Sequence, residues 1–180
     1  MQSVLLILTH PNLQQSKINY HLIQKANQLD FVHIHDLCEI YADGVIDIES
    51  EQKLLAEFDI VVFQHPFYWY SAPALLKEWF DLVLQYGYAY GPGGDSLKGK
   101  KWLSVITTGG GQTAYCKTGH NRFTMEQLLT PIEQTAHLCQ MEYLAPFVVH
   151  GTGKLFDDKV RLEQVSSDYL KTLRLLGEGA

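Results

Sequence analysis

Residues 60–91 read IVVFQHPFYWYSAPALLKEWFDLVLQYGYAYG, and the interpretation of the whole chain starts from this stretch. Its first four residues form a β-favouring apolar run, which predicts a buried strand. Apolar residues then recur at helical spacing between residues 74 and 84, which predicts a helix. Four consecutive aromatic residues lie between these elements. Because each aromatic side chain has roughly 150–250 Å² to bury, we expect this loop to cover either a flat ligand ring or a partner chain.

The alternation of strand and helix continues along the chain. Apolar runs predict strands at residues 4–9, 31–34, 60–63, 102–107 and 143–149. Amphipathic spacing predicts helices at residues 16–28, 48–58, 74–84, 125–138 and 157–176. This alternation predicts a parallel sheet with right-handed crossovers and helices on both faces. Five strands fit the flavodoxin-like three-layer α/β/α fold, in the order 2-1-3-4-5. At 180 residues, we expect one domain spanning residues 1–180.

The charge, the apolar runs and the cysteine content of the sequence exclude some classes of binding partner and cellular location. The net charge of −6 and the isoelectric point of about 5.7 argue against nucleic acid. The early apolar run at residues 4–8 is too short to span a membrane. Three cysteines, widely separated and without a CxxC pair, favour reduced thiols in a cytoplasmic protein.

The unusual loop residues follow predicted strands one, three and four, which the 2-1-3-4-5 order places side by side. Ligands of open α/β sheets bind outside the carboxyl ends of such strands. In the first of these loops, the N-terminus of the following helix offers unpaired N–H groups that suit an anion. Ser16 adds a hydroxyl, Lys17 a charge and His10 a ring N–H. The alternative is a plain helix cap at Ser16 and a turn residue at His10.

The loop after strand four reads TTGGG at residues 107–111, and its glycines allow a ligand to approach the backbone closely. A phosphate cradle, an aromatic wall and a glycine-rich edge at one crevice suit a phosphorylated planar heterocycle. Flavin mononucleotide (FMN) is the natural candidate. No metal site is expected, since His33 and His35 lack further ligands. The chain contains neither GxGxxG nor GxSxG, and GTGK at residues 151–154 lacks the first glycine of a P-loop.

Three segments carry a family resemblance: VLLILTHP with SKIN, FQHPFYWYSAPALLKEWFDLVLQYGYAYGPGG, and TTGGGQTAY. Together they resemble the flavodoxin-like NAD(P)H:quinone oxidoreductases, and among these the ancillary subunits of glutathione-regulated potassium-efflux systems. The resemblance covers nearly the whole chain in order.

The resemblance implies roles for particular residues. One set would hold the flavin phosphate, a second would contact the edge of the flavin ring, and a third would close its other side. Tyr115 would lie over the flavin and assist charge development during hydride transfer, and His120 would donate a proton. The first three sets are, in that order, His10, Ser16, Lys17, Ile18 and Asn19; Pro66, Phe67, Tyr68 and Trp69; and Thr107, Thr108, Gly109 and Gly110.

The implied activity is two-electron transfer of hydride from NAD(P)H through FMN to a quinone, with FAD as the alternative flavin. The resemblance also implies a homodimer with the site at the subunit boundary. Two other functions stay open: a regulatory ancillary subunit of a membrane potassium-efflux transporter, and a one-electron flavodoxin-type carrier. The expected location is cytoplasmic, with attachment to the inner face of the cell membrane through the transporter as the alternative.

Overall fold

The structure is a computed structural model that describes residues 2–179. Its strands are β1 (Val4–Leu8), β2 (Val32–Asp36), β3 (Ile60–Pro66), β4 (Lys101–Thr108), β5 (Glu142–Tyr143) and β6 (Phe147–His150). They pair in parallel in the order β2-β1-β3-β4-β5, and β6 also pairs with β4. In the register of the central strands, Val4 lies opposite both Val32 and Ile60. The predicted flavodoxin-like order is therefore confirmed.

Helices cover both faces of the sheet and create two cores. The helices are α1 (Lys17–Ala26), α2 (Leu37–Ile40), α3 (Ile48–Ala56), α4 (Ala74–Val83), α5 (Met125–Leu138), α6 (Thr152–Leu155) and α7 (Lys159–Glu178). In β1, Leu6 faces the core under α1 and α7, whereas Leu5 and Ile7 face the core under α3, α4 and α5. All three are fully buried, and burial of each stabilises the fold by about 1.5–3 kcal/mol.

Three details differ from the sequence-based prediction. The predicted continuous fifth strand at residues 143–149 is wrong, because residues 144–146 separate β5 from β6. Pro146 lies in this gap and has no N–H to donate to a ladder. Residues 37–47, for which the sequence predicts no helix or strand, contain the one-turn helix α2, which Asp36 caps by accepting from the N–H groups of Cys38 and Glu39. The one-turn helix α6 was not predicted.

Within residues 2–179, no helix combines the length and the apolar character needed to cross a bilayer.

Candidate functional site

Two adjoining crevices, of about 370 and 390 Å³, lie at the carboxyl ends of β1, β3 and β4. Phe67 and Gly109 line both, so the crevices form one continuous surface. Every residue to which the family resemblance gives a role at the flavin lines one or both of them. The first is lined by His10, Ser16, Lys17, Ile18, Asn19, Pro66, Phe67, Tyr68, Thr107 and Gly109, and the second by Phe67, Trp69, Thr108, Gly109, Gly110, Tyr115 and His120.

The first crevice presents hydrogen-bond donors. The first internal bond of α1 runs from the N–H of Tyr20 to the carbonyl of Ser16, so the three N–H groups before Tyr20 lack helical acceptors. His10 is 8% exposed, and burial lowers the pKa of its imidazole. Its Nδ1 accepts from the N–H of Asn12 at 3.1 Å, so the proton of the neutral ring is on Nε2. These groups suit an anion.

Two hydroxyls complete the donor set. Ser16 occupies the N-cap position of α1 as predicted, but its side chain makes no capping bond. Instead, the Nδ2 of Asn19 donates to Ser16 Oγ at 3.0 Å and to Thr107 Oγ1 at 2.8 Å. Because each hydroxyl oxygen already accepts a hydrogen bond, each O–H is available to donate toward the crevice.

The aromatic loop forms a tight turn between the two crevices. The N–H of Ser71 donates to the carbonyl of Tyr68 at 2.9 Å, and the two residues between have positive φ, 50° at Trp69 and 62° at Tyr70. Positive φ at both central positions marks a type I′ turn, which normally takes Asn and Gly. The turn leaves the Trp69 side chain 93% exposed. The Tyr70 hydroxyl donates to Asn121 Oδ1 at 3.3 Å, which ties the turn to the loop after β4.

Tyr115 lines the second crevice and is held there by three neighbouring residues. Its hydroxyl and Thr108 Oγ1 lie 2.5 Å apart and share a hydrogen bond. Its ring packs directly over Gly110, where an added Cβ would lie 3.0 Å from the ring carbon Cε2. The ring of His150 also packs against Tyr115, with ring centroids 5.3 Å apart. The exposed His120 also lines this crevice.

One wall of the first crevice was missed by sequence reasoning. It comes from the segment after β6, which includes α6, and it contributes Thr152, Gly153, Phe156 and Asp157. The ammonium groups of Lys17 and Lys159 lie 5.2 and 4.6 Å from the centroid of the Phe156 ring. The strand order offers the only advance signal, since the loop after the fifth strand opens at the same edge of the sheet.

The observed donors fit a phosphorylated flavin. The first crevice gathers N–H and O–H donors, and Gly109 opens onto space in which an added Cβ would meet nothing within 4 Å. The second crevice has aromatic walls. No group of three or more His, Cys, Asp or Glu side chains that could hold a metal occurs in the described part of the chain.

Fold and site together define a flavodoxin-like protein, and the comparison with protein families agrees. The chain matches the family described as "Flavodoxin-like fold" over residues 2–173 and belongs to it. The resemblance drawn from the three sequence segments is confirmed.

Individual relatives are more specific. The chain is 51% identical, over 86% of its length and 85% of the relative, to the glutathione-regulated potassium-efflux system ancillary protein KefG of Pectobacterium carotovorum. The chain is also similar to general stress protein 14 from Treponema denticola, whose structure was solved in complex with FMN. The two sequences are 36% identical, the TM-score is 0.90, and the match covers 97% of this chain and 99% of the other. An NADPH-quinone reductase from P. pentosaceus is 30% identical, with a TM-score of 0.86 and coverage of 94% and 96%.

Proposed function

We propose that this protein is an FMN-dependent NAD(P)H:quinone oxidoreductase that transfers two electrons as hydride. The observation that carries the proposal is the continuity of a donor-rich crevice with an aromatic-walled one. The first suits a phosphate and the second a flat ring with a substrate stacked on it. The relatives described as an FMN complex and as an NADPH-quinone reductase support this assignment.

Bound FMN would supply the chemistry, accepting hydride from NAD(P)H and passing it to the quinone. The protein's task is to bind, orient and exclude water. His10 Nε2, the hydroxyls of Ser16 and Thr107 and the first N–H groups of α1 would hold the phosphate. The backbone from Pro66 to Trp69 would contact the edge of the ring, and the glycines at 109 and 110 would allow close approach on the other side.

Tyr115 and His120 are the proposed proton-handling groups. The hydrogen bond between Tyr115 and Thr108 fixes the phenol oxygen at the crevice wall, where its O–H can stabilise negative charge that develops on a bound ring. His120 is exposed and lines the same crevice. Its ring would donate a proton to the reduced quinone.

An ancillary role for a membrane transporter is the second candidate, and the 51% identity to a potassium-efflux ancillary protein favours it. The two functions can coexist in one chain. We propose a cytoplasmic protein that attaches to the inner face of the membrane through such a transporter. We also propose a homodimer, because Tyr68, Trp69 and Tyr70 stay 43%, 93% and 48% exposed in the single chain.

The decisive experiment is purification followed by cofactor extraction and mass determination, with FMN expected and FAD as the alternative. The loaded protein should then reduce menadione with NADH or NADPH. Preference for a one-electron acceptor such as cytochrome c would indicate a carrier instead. Tight FMN binding without turnover would reject the reductase and favour the regulatory role.

Tyr115→Phe tests the proposed catalytic residue. It should lower menadione turnover roughly 10-fold and leave FMN bound, because the phenol O–H acts mainly on charge formed during the reaction. Tyr86→Phe is the matched control, since Tyr86 is exposed and lies outside both crevices. Equal turnover of the two variants would remove Tyr115 from the mechanism.

A further inference from the structure

A buried chain of hydrogen bonds runs from α7 to the first crevice. The hydroxyl of Tyr169 donates to Gln64 Oε1 at 2.7 Å, and Gln64 Nε2 donates to Asn19 Oδ1 at 3.3 Å. Asn19 Nδ2 then donates to Ser16 Oγ and Thr107 Oγ1. Tyr169 and Gln64 are fully buried, and Asn19 is 2% exposed. We refer to this chain, Tyr169–Gln64–Asn19, as the relay.

The direction of the relay decides what the crevice presents. As observed, Asn19 donates to both hydroxyls, so Ser16 and Thr107 can each donate an O–H to a ligand. If both amide groups turned over, Asn19 Oδ1 would accept from the two hydroxyls. Their O–H groups would then be used internally, and only oxygen lone pairs would face the crevice. Lone pairs repel a phosphate, so only the observed direction suits an anion.

Tyr169 favours the observed direction. Within residues 2–179, its hydroxyl hydrogen-bonds to Gln64 alone. Its ring packs against Phe147, with centroids 5.7 Å apart. Burial raises the pKa of the phenol, so the proton stays on the oxygen. In the reversed relay the phenol would accept from Gln64, and its own O–H would be buried without an acceptor. Such an unpaired donor is unfavourable.

We propose that Tyr169 is a positioning residue that, through Gln64 and Asn19, orients the hydroxyls of Ser16 and Thr107 as donors and so makes the crevice selective for a phosphate monoester. The inference rests on the proposed function in one respect, that the phosphate is that of FMN. It assigns a specific task to a side chain that contacts neither crevice.

The test compares FMN with riboflavin, which has the same ring but no phosphate. Dissociation constants are measured by quenching of flavin fluorescence on the full-length apoprotein. Tyr169→Phe should reduce the preference for FMN over riboflavin by a factor of roughly 3 to 10, the value of one neutral hydrogen bond. Riboflavin affinity itself should change less than about 2-fold. Because both ligands are measured on one variant, a general loss of stability cancels in the ratio.

Controls separate the relay from the loss of a buried phenol as such. Tyr41→Phe removes another buried tyrosine hydroxyl, which donates to Glu51 Oε1 at 2.6 Å away from both crevices. It should leave the FMN preference unchanged. Gln64→Met breaks the relay one step nearer the crevice and should lower the preference at least as far as Tyr169→Phe.

A double variant, Ser16→Ala with Thr107→Val, lacks both hydroxyls and tests whether Tyr169 acts on the FMN preference through them. There Tyr169→Phe should cause no further change in the ratio. If the parent protein prefers FMN and the Tyr169→Phe variant prefers it equally, the role of Tyr169 is overturned and the proposed cofactor still stands. A parent protein without any preference for FMN would overturn the proposed cofactor as well.

Discussion

His65 should make the stability of this fold depend on pH. It lies near the end of β3 and is 1% exposed. Its Nδ1–H donates to the carbonyl of Pro66 at 2.9 Å, and its Nε2 has no partner in the described part of the chain. Burial lowers the pKa of the ring to about 4. A protonated ring would place an uncompensated charge in the buried interior.

The sign and size of the effect follow from linkage. The unfolded chain takes up the proton near pH 6.5, whereas the folded chain does so only near pH 4. The stabilisation is therefore complete above about pH 6.5 and is lost progressively as the pH falls to about 4. From these two pKa values, the free energy of unfolding falls by about 3 kcal/mol over the whole range, and by about 2 kcal/mol between pH 7.5 and pH 5.

The assay is urea unfolding of the apoprotein at pH 7.5 and pH 5. His65→Leu removes the titrating ring. Between pH 7.5 and pH 5, the free energy of unfolding of this variant should therefore fall by about 2 kcal/mol less than that of the parent protein. His137→Gln, at an exposed histidine of α5, is the matched control and should follow the parent. Identical pH dependence of the parent and the His65→Leu variant would refute the argument.

Two further predictions concern the second crevice and its rim. Gly110→Ala would place a Cβ 3.0 Å from Tyr115 Cε2 and 3.2 Å from its hydroxyl, so the ring must shift; menadione turnover should fall roughly 10-fold. Gly111→Ala, whose Cβ would meet nothing within 4 Å, should retain the parent rate, and equal rates in both variants would contradict the proposed placement of Tyr115. Trp69→Asn keeps a residue that tolerates positive φ but removes the exposed indole. Sedimentation velocity should show a weaker dimer, and an unchanged dimer would exclude Trp69 from the interface.

Much of the fold could be predicted because its signals are local. Helix α5 begins and ends where the sequence predicts, since Thr124 and Gln127 form a capping box ahead of regularly spaced apolar residues. The central strands are continuous apolar runs, which is expected of strands covered on both faces. The position of the site followed from the strand order, because the loops after β1, β3 and β4 must meet at one edge of the sheet.

The hydrogen bonds and the turn conformation within the candidate site could not be predicted in the same way. Asn19 and Thr107 are 88 residues apart in sequence, and nothing local to either indicates their hydrogen bond. The type I′ turn at Trp69 and Tyr70 contradicts local propensity, which would place Asn and Gly there. The GTGK segment lacks the first glycine of a P-loop, yet its Thr152 lines the first crevice, because α6 brings this segment beside the N-terminus of α1.

The interrupted fifth strand also bears on solubility. A long uninterrupted outer strand would expose a row of unpaired N–H and C=O groups that could template pairing with another molecule. Here the outermost strand consists of segments of two and four residues. The proline between them cannot donate to an incoming chain. This border of the sheet is thus a poor template for edge-to-edge aggregation, and replacing Pro146 with a β-branched residue should increase the tendency of the protein to aggregate on storage.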